Sequence, residues 1–260
     1  MEPMIQVKCH YPSGTILLNR PEKRNALSRS MIRDIQQAFE DLHQERNVRA
    51  VILTGSGTAF CAGMDLQEMK ETARRDDAQQ MWQYDARIYQ ELIEYMLRFP
   101  KPIIAAVNGP AVAGGAGLVL ASDLVLASTD ARFGLPEPRR GIVAGMVAPL
   151  LTFRTTPGQA ARLLLTGEIL SAEATREMGL YHEIVETDLL WARAHAWAET
   201  IALSAREAIQ LTKQVLNETI GERIFTLLAA GAAASAAART TEAAAEGLAA
   251  FLEKREPVWP

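Results

Sequence analysis

The sequence predicts an α/β fold with parallel strands, and three observations carry that prediction. Ala50–Leu53 and Ile103–Val107 are short apolar runs containing β-branched residues, with the length and composition of buried strands. Each runs into a turn of small residues and then into a helical pattern; repeated strand–turn–helix order indicates parallel strands with helices packed on them. From Pro157 onward the pattern is mainly helical.

In order, Met4–Val7 and Gly14–Asn19 read as two strands joined by the turn Pro12-Ser13-Gly14. Ser28 or Ser30 can cap a helix whose apolar positions Met31, Ile35, Ala38, Phe39 and Leu42 recur at helical spacing. After the strand Ala50–Leu53 comes the small-residue turn Ala59–Leu66. Asp76–Phe99 is amphipathic and Pro100 stops it. The strand Ile103–Val107 leads into Asn108-Gly109-Pro110-Ala111-Val112-Ala113-Gly114-Gly115-Ala116-Gly117, with a helix expected from Leu118. Asp123–Ala127 reads as a strand, and Ala131–Glu137 as a strand-like segment ending in a turn. A short helix runs from Ser171 to Gly179, Ser204 and Glu207 have capping-box spacing for a helix through Leu216, and one long alanine-rich helix is expected over Gly221–Arg255.

Composition narrows the function classes. At 260 residues and 48% hydrophobic content the chain can bury a large core. A net charge of −4 disfavours a general nucleic-acid binder, which is usually basic. Met1–His10 lacks the apolar core of a signal peptide, and no run approaches the ~20 apolar residues of a membrane span. Cys9 and Cys61 form neither a metal-ligand spacing nor a disulfide framework. A cytoplasmic setting is expected, with no metal, membrane or nucleic-acid partner.

The glycine-rich stretch is the chemical landmark. Glycines let backbone N–H groups approach a ligand, and a helix start adds unpaired donors and partial positive charge, so the place suits an anionic oxygen. A P-loop would need Lys and Ser or Thr after the glycines, and a dinucleotide fingerprint would need glycine at Leu120, so neither motif is present. There is also no HExxH and no G-x-S-x-G, and His10, His43, His182 and His195 are scattered.

With these residues in view, the chain resembles the crotonase, or enoyl-CoA hydratase/isomerase, superfamily over nearly its whole length. The likeness rests on Arg20–Leu27, the turn Ala59–Leu66, Asn108–Asp123, and Phe133–Glu137 through Gly141-Ile142. Thr166-Gly167-Glu168 with Ser171-Ala172-Glu173, and the ending Glu246–Arg255, also fit. The resemblance implies a crotonase-like spiral of strand-strand-helix units over 1–195 with the thioester site, and a helical trimerisation region over 196–260. It implies a homotrimer or hexamer. It also implies an acyl-CoA substrate, with coenzyme A entering as part of that substrate and no permanently bound cofactor. By position, the backbone N–H groups of Met64 and Gly114 would form an oxyanion hole, each donor worth roughly 3–4 kcal/mol of barrier. Lys23, Arg24, Ala62, Asp65 and Leu66 would meet the coenzyme A portion, with Lys213 a further candidate. Met64, Met69, Met81 and Trp82 would shape the acyl pocket. Solvated charge and ordinary packing are the plain alternatives for these side chains.

For the proton work, the resemblance matches Glu137 to one catalytic carboxylate, while Gly117 stands where two-glutamate hydratases carry the other. Two carboxylates normally hold and split the water between them, so a single one favours isomerisation, in which one base takes and returns a proton. Unusual hydration, thioester hydrolysis, carbon–carbon cleavage and non-catalytic acyl-CoA binding are the alternatives. Glu68, Glu71, Tyr84 and Tyr89 are further proton carriers by residue type, although a solvated helix face for the glutamates and packing for the tyrosines are the commoner explanations. Arg139 and Arg140 can serve a charged acyl group or form an exposed basic pair.

Overall fold

A computed structural model describes residues 2–259, apart from the side chains of 219, 220 and 222. Strands β1 (Ile5–His10) and β2 (Ser13–Leu18) form an antiparallel hairpin. Helix α1 (Arg29–Gln44) follows, capped by Ser28, whose Oγ accepts the Met31 N–H at 3.2 Å. Strand β3 (Ala50–Gly55) pairs parallel with β2. Helices α2 (Leu66–Thr72) and α3 (Ala78–Arg98) lead to β4 (Ile103–Val107). The next elements are β5 (Pro110–Val112), α4 (Gly114–Ala121), β6 (Leu124–Ser128) and β7 (Arg132–Gly134). They are followed by α5 (Val147–Arg154), α6 (Pro157–Thr166), β8 (Ile169–Ser171), α7 (Ala172–Glu177) and β9 (Glu183–Val185). The chain closes with α8 (Leu190–Ala202), α9 (Arg206–Gln214), a π-helical turn Val215–Ile220, α10 (Glu222–Ala238) and α11 (Glu242–Glu253).

The strands make a six-stranded sheet in the order β1-β2-β3-β4-β6-β9, parallel from β2 onward, and a small sheet β5-β7-β8. The unbroken apolar run of β4 follows from burial on both faces. Ile103, Ala105 and Val107 face the main core, while Ile104 and Ala106 meet Leu190, Ala194 and Ala198 of α8. His195 Nδ1 lies 2.8 Å from the buried Ser13 Oγ and ties α8 to β2.

The structure changes three expected elements. The glycine-rich stretch is not one turn: Pro110–Val112 is a strand, and the helix begins at Gly114, four residues before Leu118. Ser204 caps nothing; Ala205 precedes α9 without a side-chain cap. The single helix expected over Gly221–Arg255 is two, because Thr241 Oγ1 accepts the Ala244 N–H at 3.1 Å and starts a new helix. That competition between side chain and backbone is what makes threonine a helix-start residue and overrides the alanine propensity around it.

Candidate active site

Asn25 begins the site. Its Oδ1 accepts the Arg20 N–H at 2.8 Å, and its Nδ2 donates to the carbonyls of Ser56 and Ala59 at 3.0 and 2.8 Å. The segment Arg24–Leu27 thereby lies beside the turn after β3, and Ala62 N donates to Arg24 O at 3.0 Å while Leu27 N donates to Gly63 O at 2.8 Å. On its other side the same turn pairs with β5, through Cys61 N to Pro110 O at 3.1 Å and Val112 N to Cys61 O at 3.0 Å. The two small-residue turns are thus laced together by backbone hydrogen bonds. Gly63 must be glycine: its φ is +87°, and a Cβ there would meet Ala113 Cβ at 2.7 Å.

Two donors emerge at this junction. Neither the Met64 nor the Gly114 N–H has a protein acceptor among the described residues. Gly114 is the first residue of α4, where a backbone donor has no intrahelical partner. Its orientation is set by Ala113 at φ +53°, ψ −125°, a strained conformation for a residue with a side chain. Both residues line a cavity of about 490 Å³. Two fixed N–H groups in such a place can hold an oxygen on which negative charge develops.

Glu137 lines the same cavity, on the helical turn Glu137–Arg140 after β7. It is 5% exposed, not a solvated surface glutamate, and its Oε2 has no hydrogen-bond partner among the described residues. Burial pushes its carboxyl up to about 7, against opposing effects of a backbone N–H and of the Arg140 charge. A carboxyl poised there can accept and return a proton near neutral pH.

The position at which the resemblance implies a second carboxylate is filled. Gly117 is buried inside α4, and a Cβ on it would collide with the Tyr89 hydroxyl. Tyr89 itself lines the cavity and donates to Gly114 O at 2.6 Å. Burial raises its hydroxyl well above the ordinary tyrosine value, with Cys61 and Glu137 adding to the effect, so it stays protonated.

An outer groove of about 1,070 Å³ shares Met64, Leu66 and Arg140 with the inner cavity and carries Lys23, Arg24, Ala62 and Arg132 on its walls. Asp65 also borders it, but its carboxylate is spent on the Gln67 and Glu68 N–H groups that start α2 and on Arg20 Nη1 at 2.7 Å. Arg140 is half-buried with its guanidinium over the Phe251 ring, so it is no exposed pair with Arg139, which is exposed and bonds Thr166 O.

Other expected residues lie elsewhere. Lys213 is buried and donates to Asp123 Oδ2 at 2.7 Å, which removes it from the groove. Trp82 and Met81 are half-buried on α3 and line neither cavity. The inner cavity is lined instead by Met69, by the segment from Ile142 to Val147, by Ser235 of α10 and by Arg239 at its end. A signal for the last two exists in the sequence: Ser235 is the one polar residue of the run 227–238, and Arg239 follows it by one helical turn. Glu68 is held by Arg29 rather than aimed at the cavity, and Glu71 is exposed. Among the described residues no cluster of metal-ligating side chains occurs, and no single helix is long and apolar enough to cross a membrane.

Comparison with known proteins agrees with this geometry. A family model described as enoyl-CoA hydratase/isomerase matches residues 14–260. A Thermus thermophilus protein provisionally described as an enoyl-CoA hydratase is 38% identical over 98% of this chain and 99% of its own. The 2,3-dehydroadipyl-CoA hydratase of Escherichia coli is 34% identical over 93% of this chain and 92% of its own. The crystal structure of carnitinyl-CoA hydratase from Mycobacterium avium superposes with a TM-score of 0.85 at 32% identity, covering 100% of this chain and 99% of that one. The fold is of the crotonase type, and the chain belongs to the enoyl-CoA hydratase/isomerase family.

Proposed function

We propose that this enzyme moves a proton on an enoyl-CoA thioester with Glu137 as its single carboxylate acid/base, most simply as a double-bond isomerase. The observation that carries the reading is the buried Glu137 in one cavity with the unpaired Met64 and Gly114 N–H groups, while Tyr89 fills the slot beside Gly117. The thioester oxygen sits between the two N–H donors. The Glu137 carboxylate removes a proton from C2 of a 3-enoyl thioester, and the electron pair moves onto that oxygen as an enolate. The same carboxyl then returns the proton to C4, leaving the 2-enoyl thioester and the free base. Lys23 and Arg24 face the outer groove, where they meet the phosphates of coenzyme A.

Hydration is the second reading. Its support is the hydroxyl of Tyr89, a polar group on the cavity wall that can hold a water for Glu137, together with relatives named as hydratases. Rates on 2-enoyl and 3-enoyl thioesters measured side by side separate the two. A ratio favouring 3-enoyl conversion supports isomerisation, and 3-hydroxyacyl product from the 2-enoyl substrate at a higher rate overturns it in favour of hydration.

We also infer assembly into a trimer or hexamer. The support is an uncovered apolar surface on the C-terminal helices, where Leu211, Val215, Leu216 and Leu227 are each about half exposed or more. Light scattering giving a stable monomer refutes this.

A further inference from the structure

The wall of the inner cavity carries a charge that the reaction proposed above does not use. Arg239, at the end of α10, is 8% exposed and lines the cavity. None of its guanidinium nitrogens makes a hydrogen bond among the described residues; Nη1 is buried and faces Asp85, while Nε and Nη2 are the atoms left to the cavity. The nearest counter-charge is Asp85, 3% exposed, whose carboxylate lies 3.6 Å away, beyond hydrogen-bond reach. Asp85 is already engaged by another guanidinium: Arg29 binds it through Nε and through Nη2 at 2.9 Å. The remaining acid, Glu68, is bound to the backbone N–H of Arg29 at 3.0 Å and lies 3.7 Å from that arginine's Nη1. Two guanidiniums therefore share one buried aspartate; Arg29 takes its hydrogen bonds, and Arg239 has only the longer ion-pair contact.

The surroundings make that guanidinium specific. Met69, Met146 and Val147 give the cavity apolar walls. Ser235, one helical turn before Arg239 and lining the same cavity, adds a hydroxyl beside it. A buried cation with an unmade hydrogen bond is costly unless a ligand completes it. The planar fork of a guanidinium matches a carboxylate.

We infer that the preferred acyl group ends in a carboxylate, so that the substrates are CoA thioesters of dicarboxylic acids whose far end is received by Arg239 and Ser235. The inference rests on the acyl-CoA reading above and adds the class of acyl chain. A guanidinium on the wall of a largely apolar cavity discriminates against a plain alkyl terminus, which leaves that guanidinium without a hydrogen bond.

The test is calorimetric binding of unreactive saturated thioesters to the intact protein: succinyl-, adipyl- and suberyl-CoA against butyryl-, hexanoyl- and octanoyl-CoA. The best dicarboxylic member should bind at least ~10-fold tighter than its neutral counterpart, the scale of one charge-assisted hydrogen bond. Equal or tighter binding of the neutral member in every pair overturns the inference while leaving the acyl-CoA reading intact; binding of none of them sinks that reading itself. In Arg239→Gln, checked for folding by circular dichroism, the ratio should fall by ~10-fold or more, whereas Arg140→Gln should leave the ratio in place. An unchanged ratio in folded Arg239→Gln, or a collapse confined to Arg140→Gln, overturns the assignment. If Arg239→Gln does not fold, Arg239→Lys carries the test, because it keeps the charge but loses the fork and should lower the ratio part of the way. A ratio that Arg239→Lys leaves untouched likewise overturns it.

Discussion

The hydroxyl of Tyr89 stands where the side chain of residue 117 would begin, and it is held there by donating to the Gly114 carbonyl at 2.6 Å. The absent second carboxylate is therefore not a hole in the site. An aromatic residue from α3 occupies the place, so glycine at 117 and tyrosine at 89 form one unit. Simple restoration of a glutamate is blocked. Gly117→Glu alone should destabilise the protein by about 1–3 kcal/mol, the usual cost of overpacking. Tyr89→Phe removes the obstructing oxygen, so the double variant Gly117→Glu/Tyr89→Phe should recover part of that loss. Chemical denaturation of the two single variants and the double checks this, and strictly additive effects would dissolve the coupling.

Glu137→Gln preserves shape and removes the base. Turnover should fall ~100-fold or more, the scale of general acid–base catalysis, while a saturated acyl-CoA still binds. In the parent enzyme kcat/KM should rise with pH through a limb near 7, because burial holds the carboxyl there and the base must be ionised. Single-turnover assays across pH provide the measurement; a limb near the ordinary carboxylate value would show that another group titrates.

The same substitution should alter stability with a definite sign. The folded carboxyl titrates at about 7 against 4.5 for the ordinary group, so between those pH values the native state binds more protons than the unfolded one. Stability from this group is complete below 4.5 and is lost as pH rises through about 7, by about 3 kcal/mol. Glu137→Gln should consequently melt higher than the parent at pH 8, and the advantage should shrink towards pH 4. Parallel melting curves that do not converge would contradict the burial argument.

Ala113 holds a conformation that favours glycine, immediately before the Gly114 donor. Ala113→Gly should relax it and raise stability by about 1 kcal/mol, since such strain costs ~1–3 kcal/mol and glycine gives back part through the unfolded chain. Turnover should fall if the strain aims the donor. Denaturant titration together with kcat tests both halves, and a destabilised variant would mean that the Ala113 methyl contributes more by packing than its backbone costs.

Lys213 is a structural cation. Lys213→Met leaves the half-buried Asp123 with the Ile103 N–H but without its cation and should cost about 2–3 kcal/mol, below the scale for breaking a fully buried pair. Acyl-CoA affinity should not change, because the residue lies outside both cavities. By contrast, Lys23→Ala/Arg24→Ala should weaken acyl-CoA binding by about tenfold or more and flatten its salt dependence. Binding isotherms at two ionic strengths distinguish the pair of variants.

What the sequence by itself determined is local and contiguous. The apolar runs of β3 and β4, the Pro100 stop, the Ser28 cap and the Ser171–Gly179 helix are each encoded within a few residues, through periodicity, capping and backbone restriction. The small-residue turn after β3 is local in the same way, while Glu137 and Gly117 were singled out only by the family resemblance that the short motifs carry. Tertiary structure alone decided what fills space across the chain. Tyr89 stands 28 residues from Gly117 and reads as one more packing aromatic until α3 is laid against α4. Arg239 lies in an alanine-rich run that suits a single long helix until Thr241 breaks it and the guanidinium is buried beside Asp85. Lys213 cannot be told from a ligand-seeking lysine until Asp123 is found beside it. Charge and aromatic side chains act through their neighbours, and those neighbours are chosen by packing between elements far apart in the chain. Propensity and periodicity carry no record of that choice.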